Sequence, residues 1–516
     1  MTDMNNNNDI SNWIRQTAPS GQLASDSRRI KAGDVFFAYS ADPSNDGAGD
    51  GRAFIDAAIG QGAAAIVYDP AGFDWKPEWT VASLAVPDLK RRAGPIAHAF
   101  YEQPDAAMFT VGVTGTNGKT SSAVWLGNAL ARGGDTAAVI GTLGVALFQG
   151  RAEPEFDATG YTTPDQVLLA RTLAECRAAG AAGLAIEVSS IGLEQGRVDG
   201  MHFDVALFTN LTRDHLDFHG TMEAYEGAKR RLFDWPGLKH AVINLDDPAG
   251  LRLAQHVLAQ GKAAVTGYTL KDAATQPDIA GVTVLRASQV RTRSAGTEFA
   301  LESPLGGTHV KTQLVGSFNV SNALGVLGAL LAKGLPLRAA VEAIEALTPA
   351  PGRMQLVGGN EVPMVVIDYA HTPDALEKTV DVLRSVAQDR NGQLWCVFGC
   401  GGDRDPGKRP QMGRIAQAAD HVLVTSDNPR SEEPHAIIGQ IVAGMDKSLP
   451  ATVQTIEDRA AAILSAIKHA AKNDVILVAG KGHEPYQEIK GKKLPFSDAD
   501  HAQLALSARL TMMRPN

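Results

Sequence analysis

The sequence predicts an α/β protein of three domains, and three observations lead there. The chain has 516 residues, more than one hydrophobic core sustains and near the length of about three domains. Apolar strand-type runs alternate with helical patterns, which argues for mostly parallel sheets covered by helices. Within that alternation, a buried strand at Phe109–Thr114 runs directly into a glycine loop and a helix.

The elements follow in order. Met1 to Asp9 is polar and Asn-rich, lacks the basic start and apolar stretch of a secretion signal, and is expected to fray. The first block, residues 1–105, carries β-type runs at Asp34–Ala38 and Ala63–Tyr68 among glycine-rich turns. The second, 106–349, opens at Phe109 and continues with strand candidates at Gly183–Val188, Val205–Asn210 and Ala241–Asn244. The run Thr348-Pro-Ala-Pro-Gly-Arg353 then breaks the pattern. The third block, 350–516, has candidates at Met364–Asp368, Leu394–Gly399, His421–Ser426 and Asp474–Ala479. It reads as a doubly wound unit with its functional loops at the C-terminal strand ends.

Composition narrows the function. Hydrophobic residues make up 44% and charged residues 20%, an ordinary globular balance. No apolar run is long enough to cross a bilayer, so membrane insertion is not expected. A net charge of −9 argues against nucleic-acid binding, which needs a basic face. Three cysteines, Cys176, Cys396 and Cys400, suit a reducing cytoplasm and are expected to be small buried hydrophobes rather than a metal site.

Gly112-Val-Thr-Gly-Thr-Asn-Gly-Lys119-Thr120 joins strand to helix, and the loop's N–H groups with the helix N-terminus behind them form an anion cradle. Lys119 can reach the outer phosphates of a nucleotide and the Thr120 hydroxyl can hold Mg²⁺. The strict phosphate-loop pattern has glycine where this chain has Val113; the plainer reading is a glycine-rich turn with a surface lysine. Glu187 ends an apolar run, where a carboxylate is rarely buried unless paired or metal-bound. His215 lies in a loop after another strand. Alone it reads as structural; beside a phosphate loop, it fits a Mg²⁺ site. Lys229 falls on the apolar face of a helix expected over Met222–Phe233, with Met222, Tyr225, Leu232 and Phe233, while Arg230 and Arg231 turn away. Spacing alone leaves a lysine reaching for the rim and a site lysine equally open.

Together these segments resemble the Mur ligases, which build the peptide stem of bacterial peptidoglycan. The likeness runs from Asp26-Ser-Arg28 to Phe496-Ser-Asp498 and rests on Gly115-Thr-Asn-Gly-Lys-Thr120, Glu187-Val-Ser-Ser190, Asp214-His-Leu-Asp217, Asp368-Tyr-Ala-His-Thr-Pro373 and Gly480-Lys-Gly-His-Glu484. Order and spacing are most like members that add the third residue, diaminopimelate. The resemblance implies a central P-loop ATPase-like parallel sheet, flanked by an N-terminal UDP-binding α/β domain and a C-terminal Rossmann-like domain. It also implies a cytoplasmic enzyme that takes ATP and Mg²⁺, and a monomer is expected.

The resemblance assigns residues in turn. Gly115, Thr116, Asn117, Gly118, Lys119, Thr120 and Ser121 would hold ATP, with Asn322, Arg353 and Asp368 approaching the adenosine. Ser27 would contact UDP. Thr162, Thr163, Ser189, Gln195 and Arg197 would hold the sugar-peptide. Lys229 matches a lysine carbamylated in the family, which with Thr120, Glu187 and His215 would support Mg²⁺. Arg404, Asp427, Asn428, Pro429, Arg430, Gly480 and Glu484 would form the diaminopimelate site, with Arg430 on the distal carboxylate and Glu484 on the distal ammonium. Alone, Asp427-Asn-Pro-Arg430 is a turn with a solvated arginine. The implied reaction activates the D-glutamyl γ-carboxylate as an acyl phosphate, which the diaminopimelate amine attacks; His371 is a proton acceptor by chemistry only. Where the family carries a histidine after the paired serines, this chain has Ile191. The rival readings are a lysine-adding or folate-glutamate ligase, or a non-catalytic nucleotide-binding regulator.

Overall fold

A computed structural model describes residues 6–40, 49–152, 154–275, 279–293, 296–359, 361–446 and 448–513. Its strands form a four-stranded, a ten-stranded and a six-stranded sheet, plus a two-stranded ribbon. The first spans Leu23 to Ala85 and is wholly parallel. Its flanking helices begin earlier than composition suggests: Asn7–Thr17 is helical, and the Asn6 side chain accepts from the Asn8 N–H. The expected fraying therefore fails from Asn7 onward, because an asparagine cap and the buried Ile10 and Ile14 hold the first turn. Met1–Asn5 lie outside the described residues.

The ten-stranded sheet is parallel through its middle, where Phe109–Thr114 lies between Ala181–Glu187 and Val205–Phe208. His240–Asn244 and Ala264–Thr269 extend it on one side. Both edges are antiparallel, at Thr136–Gly141 with Gly144–Phe148 and across the hairpins of Val282 to Thr312. Those edge hairpins were not foreseen: the strands of Val282 to Thr312 are polar and glycine-broken, with little of the continuous apolar signal of buried strands, whereas Thr136–Gly141 and Gly144–Phe148 are apolar and largely buried but short. Two apolar layers cover the sheet, one containing Trp125, Leu324 and Leu327, the other Leu169, Phe203 and Phe233.

The six-stranded sheet is parallel except for its edge strand Gln355–Gly358. Asp368, Ala479, Phe398 and Val424 share one level of the register. Four loops consequently leave the same edge: Tyr369–His371, Gly480–Glu484, Gly399–Arg404 and Thr425–Arg430. Cys176, Cys396 and Cys400 are buried free thiols, as expected of small core residues. No helix among the described residues is long and apolar enough to cross a membrane.

Candidate active site

The register of the central sheet assembles the site. Val113 pairs with Glu187, and Thr114 with Phe208, so the glycine loop, Glu187 and the Thr209–His215 segment emerge side by side. Gly115 has φ +146°, and a Cβ there would lie 1.9 Å from the Thr209 Oγ1. Gly118 has φ +87°, with the Asn322 Oδ1 2.6 Å from where a Cβ would sit. Glycine is required at both positions by conformation and by space. Asn210 then clamps the loop, accepting from the Asn117 N–H at 2.9 Å and donating through Nδ2 to the Asn117 carbonyl at 3.0 Å.

The Lys119 ammonium folds back onto the Gly115 and Thr116 carbonyls at 2.8 and 2.9 Å. Lys229 is buried and donates to the same Gly115 carbonyl at 2.8 Å, with its Nζ 4.3 Å from the Tyr225 ring centroid. Burial, and then the neighbouring Lys119, push the Lys229 pKa well below its ordinary value. Lys229 is thus the inward lysine of the two readings, with Arg230 and Arg231 exposed. The regular helix ends at Arg230, short of the expected Phe233.

Glu187 is 1% exposed. Its carboxylate accepts from the Thr142 N–H at 2.8 Å, the Thr142 hydroxyl at 3.2 Å and the Thr120 hydroxyl at 3.0 Å. His215 takes a left-handed φ of +52° beside Asp214. Burial lowers its pKa against the opposing pull of Asp214, favouring the neutral, metal-competent imidazole. Among the described residues no three His, Cys, Asp or Glu side chains already form a metal cluster. The oxygen and imidazole donors of Thr120, Glu187 and His215 fit an ion that takes few protein ligands and completes its shell with water and phosphate oxygens.

One cavity of about 510 Å³ is lined by Thr116, Asn117, Gly118, Lys119, Thr120, Ser121, Thr162, Glu187, His215, Asn322, Arg353 and Asp368. Gly115 and Lys229 lie behind the loop. The far wall belongs to the C-terminal unit. Arg353 donates to the Thr120 hydroxyl at 3.0 Å and stacks over Tyr369 at 4.2 Å. That places it in the cavity wall against the glycine loop's helix. Asn117 also bonds Asp374 at 3.1 Å, tying the loop to the helix Pro373–Asp389. Asp368 accepts from the Met354 and Ala370 N–H groups, while burial raises its pKa. His371 Nδ1 lies 2.8 Å from the Tyr369 carbonyl, which can only accept, so Nδ1 carries the proton. Burial and then Lys408 lower its pKa to about 4. That favours the neutral imidazole.

A second cluster adjoins this cavity through Thr162, whose hydroxyl lies 3.0 Å from that of Thr142. The Thr163 hydroxyl bonds the Glu187 carbonyl at 2.9 Å and Ser189 at 3.1 Å; Arg197 bonds the Thr163 carbonyl and Gln195. Ile191 is half-buried. An imidazole does reach the serines, from His219, at 3.0 Å from the Ser190 hydroxyl. Ser27 stands apart, buried at the start of a short 3₁₀ turn capped by Asp26.

The strand-end loops of the six-stranded sheet bring Asp427, Asn428, Pro429, Arg430, Gly480 and Glu484 together. Arg430 has φ +50°; its Nη1 donates to the Gly402 carbonyl at 2.7 Å and its Nε is 3.6 Å from Glu488. It is half-buried. Asp427 Oδ2 lies 2.5 Å from where a Cβ on Gly480 would be, so Gly480 is there for clearance. Glu484 Oε2 already accepts from Asn428 at 2.8 Å and Lys481 at 2.9 Å. Arg404 is exposed on the neighbouring loop. Several supports escaped the sequence reading: Thr142 holding Glu187, Asn210 clamping the loop, and the buried Lys481. Only Lys481 had a signal, its place inside a quoted motif.

A model of the Mur ligase middle domain matches residues 113–330, and one of the Mur ligase glutamate ligase domain matches 352–482. A UDP-N-acetylmuramoyl-L-alanyl-D-glutamate–2,6-diaminopimelate ligase of Janthinobacterium sp. (strain Marseille) is 62% identical over 504 residues, 97% of each chain. A solved structure of a ligase of that name is 36% identical, covering 95% of both chains with a TM-score of 0.63. The MurF ligase of Thermotoga maritima in complex with ADP shares the fold at 18% identity, with a TM-score of 0.65 and 95% and 99% of the two chains covered. Matched along its length by relatives and in its strand-end loops by the motifs above, this chain belongs to the Mur ligase family.

Proposed function

We propose that the chain is an ATP-dependent ligase joining meso-diaminopimelate to the D-glutamyl γ-carboxylate of UDP-N-acetylmuramoyl-L-alanyl-D-glutamate, for peptidoglycan synthesis. The observation that carries this reading is one cavity with two walls. The phosphate loop and Glu187 line one; Arg353 and Asp368 line the other, on the unit whose strand-end loops also carry Arg430 and Glu484. Three domains, 1–105, 106–349 and 350–516, would bring UDP-sugar peptide, ATP and amino acid to that junction.

ATP would lie on residues 115–121, with Asn322 against Gly118 and Asp368 on the opposite wall. Lys119 would leave its two carbonyls for the transferred phosphoryl group, where positioning and charge neutralisation do most of the catalysis. Mg²⁺, when bound, supplies further neutralisation of the phosphate charge. Thr120, Glu187, His215 and Lys229 would hold it. A neutral Lys229 amine is nucleophilic and can add CO₂ through a new N–C bond, releasing one N–H proton to solvent and becoming the anionic carbamate that such a site needs. Thr162, Thr163, Ser189, Gln195 and Arg197 would present the γ-carboxylate, and Ser27 the UDP end. Arg430 would take the distal carboxylate of diaminopimelate and Glu484 its ammonium, with Arg404, Asp427, Asn428, Pro429 and Gly480 shaping the pocket. His371, with Nε2 unprotonated, would relay the proton lost by the attacking amine. Paired walls that close would exclude water from the acyl phosphate. The enzyme would work as a cytoplasmic monomer on small molecules.

The test is phosphate release with ATP, Mg²⁺ and the UDP-muramoyl dipeptide, adding meso-diaminopimelate or L-lysine in parallel. Release with diaminopimelate alone is expected. Equal release with lysine sinks the account of Arg430. Release with neither, beside ADP binding, points to a non-catalytic regulator.

A further inference from the structure

Lys481 is 0% exposed, yet no role in binding or chemistry has been given to it above. Its Nζ lies 2.9 Å from Glu484 Oε2 and 3.0 Å from Asn428 Oδ1, and 5.7 Å from the Tyr486 ring centroid. Asn428 is correspondingly committed. Its carbonyl accepts from Lys481 and from the Glu488 N–H at 2.9 Å, and its Nδ2 donates to Glu484 Oε2 at 2.8 Å. Asn428, inside the Asp427–Arg430 turn, therefore works as a bracket. It locks the Glu484 carboxylate by one oxygen and leaves Oε1 as the acceptor for a ligand.

A buried ammonium behind that carboxylate is a disadvantage if the site only needs to hold a cation. Glu484 would bind a lone ammonium better without it. The arrangement makes sense for a ligand end that carries both charges on one carbon. Its ammonium would meet Glu484, its carboxylate would meet Arg430, and its net charge of zero would make it nearly indifferent to Lys481. A lysine ligand presents a lone cation and bears the repulsion in full, in a poorly screened place.

We propose that Lys481 is a specificity-determining residue: held in place by Glu484 and Asn428, its charge rejects amino acids whose distal end is a lone cation in favour of those with a zwitterionic end. The inference rests on the diaminopimelate reading above. Asp427, 8% exposed, and the buried Arg459–Asp498 pair also border this region. Changing Lys481 leaves their charges as they are, so the change in selectivity reports the Lys481 charge itself.

The experiment compares kcat/KM for meso-diaminopimelate and for L-lysine in the full-length enzyme. In Lys481→Met the preference for diaminopimelate should fall by about tenfold, because deleting one positive charge helps a cationic ligand more than a neutral one. Lys481→Arg, which keeps the charge, should retain most of the preference, and KM for ATP should not move. In a Glu484→Gln background, Lys481→Met should still lower the preference, since the Lys481 charge repels a lone cation directly. Lys481→Gln, neutral and still a hydrogen-bond donor, gives the same reading if the methionine variant does not fold. Equal loss on both amino acids, or loss of the preference in Lys481→Arg to the same extent as in Lys481→Met, overturns the proposal. A wild-type enzyme without preference for diaminopimelate overturns the reading beneath it as well.

Discussion

The two ends of the reaction centre treat charge in opposite ways. At the phosphate loop, Lys119 and Lys229 bond carbonyl oxygens, both of them that of Gly115. Around the amino-acid site, cations are matched with carboxylates: Lys481 with Glu484, Arg430 with Glu488, and the buried Arg409 with Glu432. Arg409 holds the Glu432 pKa down at about 2. The difference matches the ligands proposed for the two clusters. A polyanion is best met by cations with no carboxylate partner, whose desolvation is recovered when phosphate arrives. A zwitterion is best met by paired charges at fixed spacing, which select geometry rather than net charge.

The comparison breaks most visibly at Lys119. In Lys119→Ala, kcat should fall by about a hundredfold or more, as for loss of a main phosphate-stabilising group; full activity in phosphate release would remove the phosphate-loop role. At the other end, Arg430→Met should lower kcat/KM for diaminopimelate by about 10- to 100-fold, with KM for ATP unchanged. A matching loss at ATP would mean that Arg430 shapes the fold, not the specificity.

The smallest effect sharpens the comparison by stability. Lys229 has a depressed pKa in the folded chain, so between that value and its ordinary one the unfolded state binds the extra proton. Stability contributed at this position therefore rises with pH and is poorest at lower pH. In bicarbonate-free buffer, Lys229→Met should raise the melting temperature by about 2–4 °C at pH 7 and by less near pH 10. A melting temperature that drops at both values would show the lysine already compensated. With ¹³C-bicarbonate, the wild type should give a carbamate resonance that the methionine variant lacks.

Much of this was legible before any coordinates. The central parallel strands were readable because strands buried on both faces are continuous apolar runs, and Lys229 because its place on the face of its helix follows from angular spacing alone. The antiparallel edge from Val282 to Thr312 was not, since half-exposed, glycine-broken strands resemble loops. The helix from Asn7 was missed because a polar run can be helical when a cap and two buried isoleucines, Ile10 and Ile14, hold it. That Arg353 bonds Thr120, 233 positions away in sequence, was not legible either.

Local chemistry by itself determined where the loops fall and which residue types they carry. Glycine is demanded by positive φ and close approach, lysine and threonine by phosphate, and strand and helix by their periods. Tertiary structure alone decided the pairings: that two lysines share one carbonyl, that Thr142 holds Glu187, and that Lys481 stands behind Glu484. Such contacts join segments whose separation along the chain carries no information about distance. They are set by parallel register, which brings the C-terminal ends of unrelated strands to one edge.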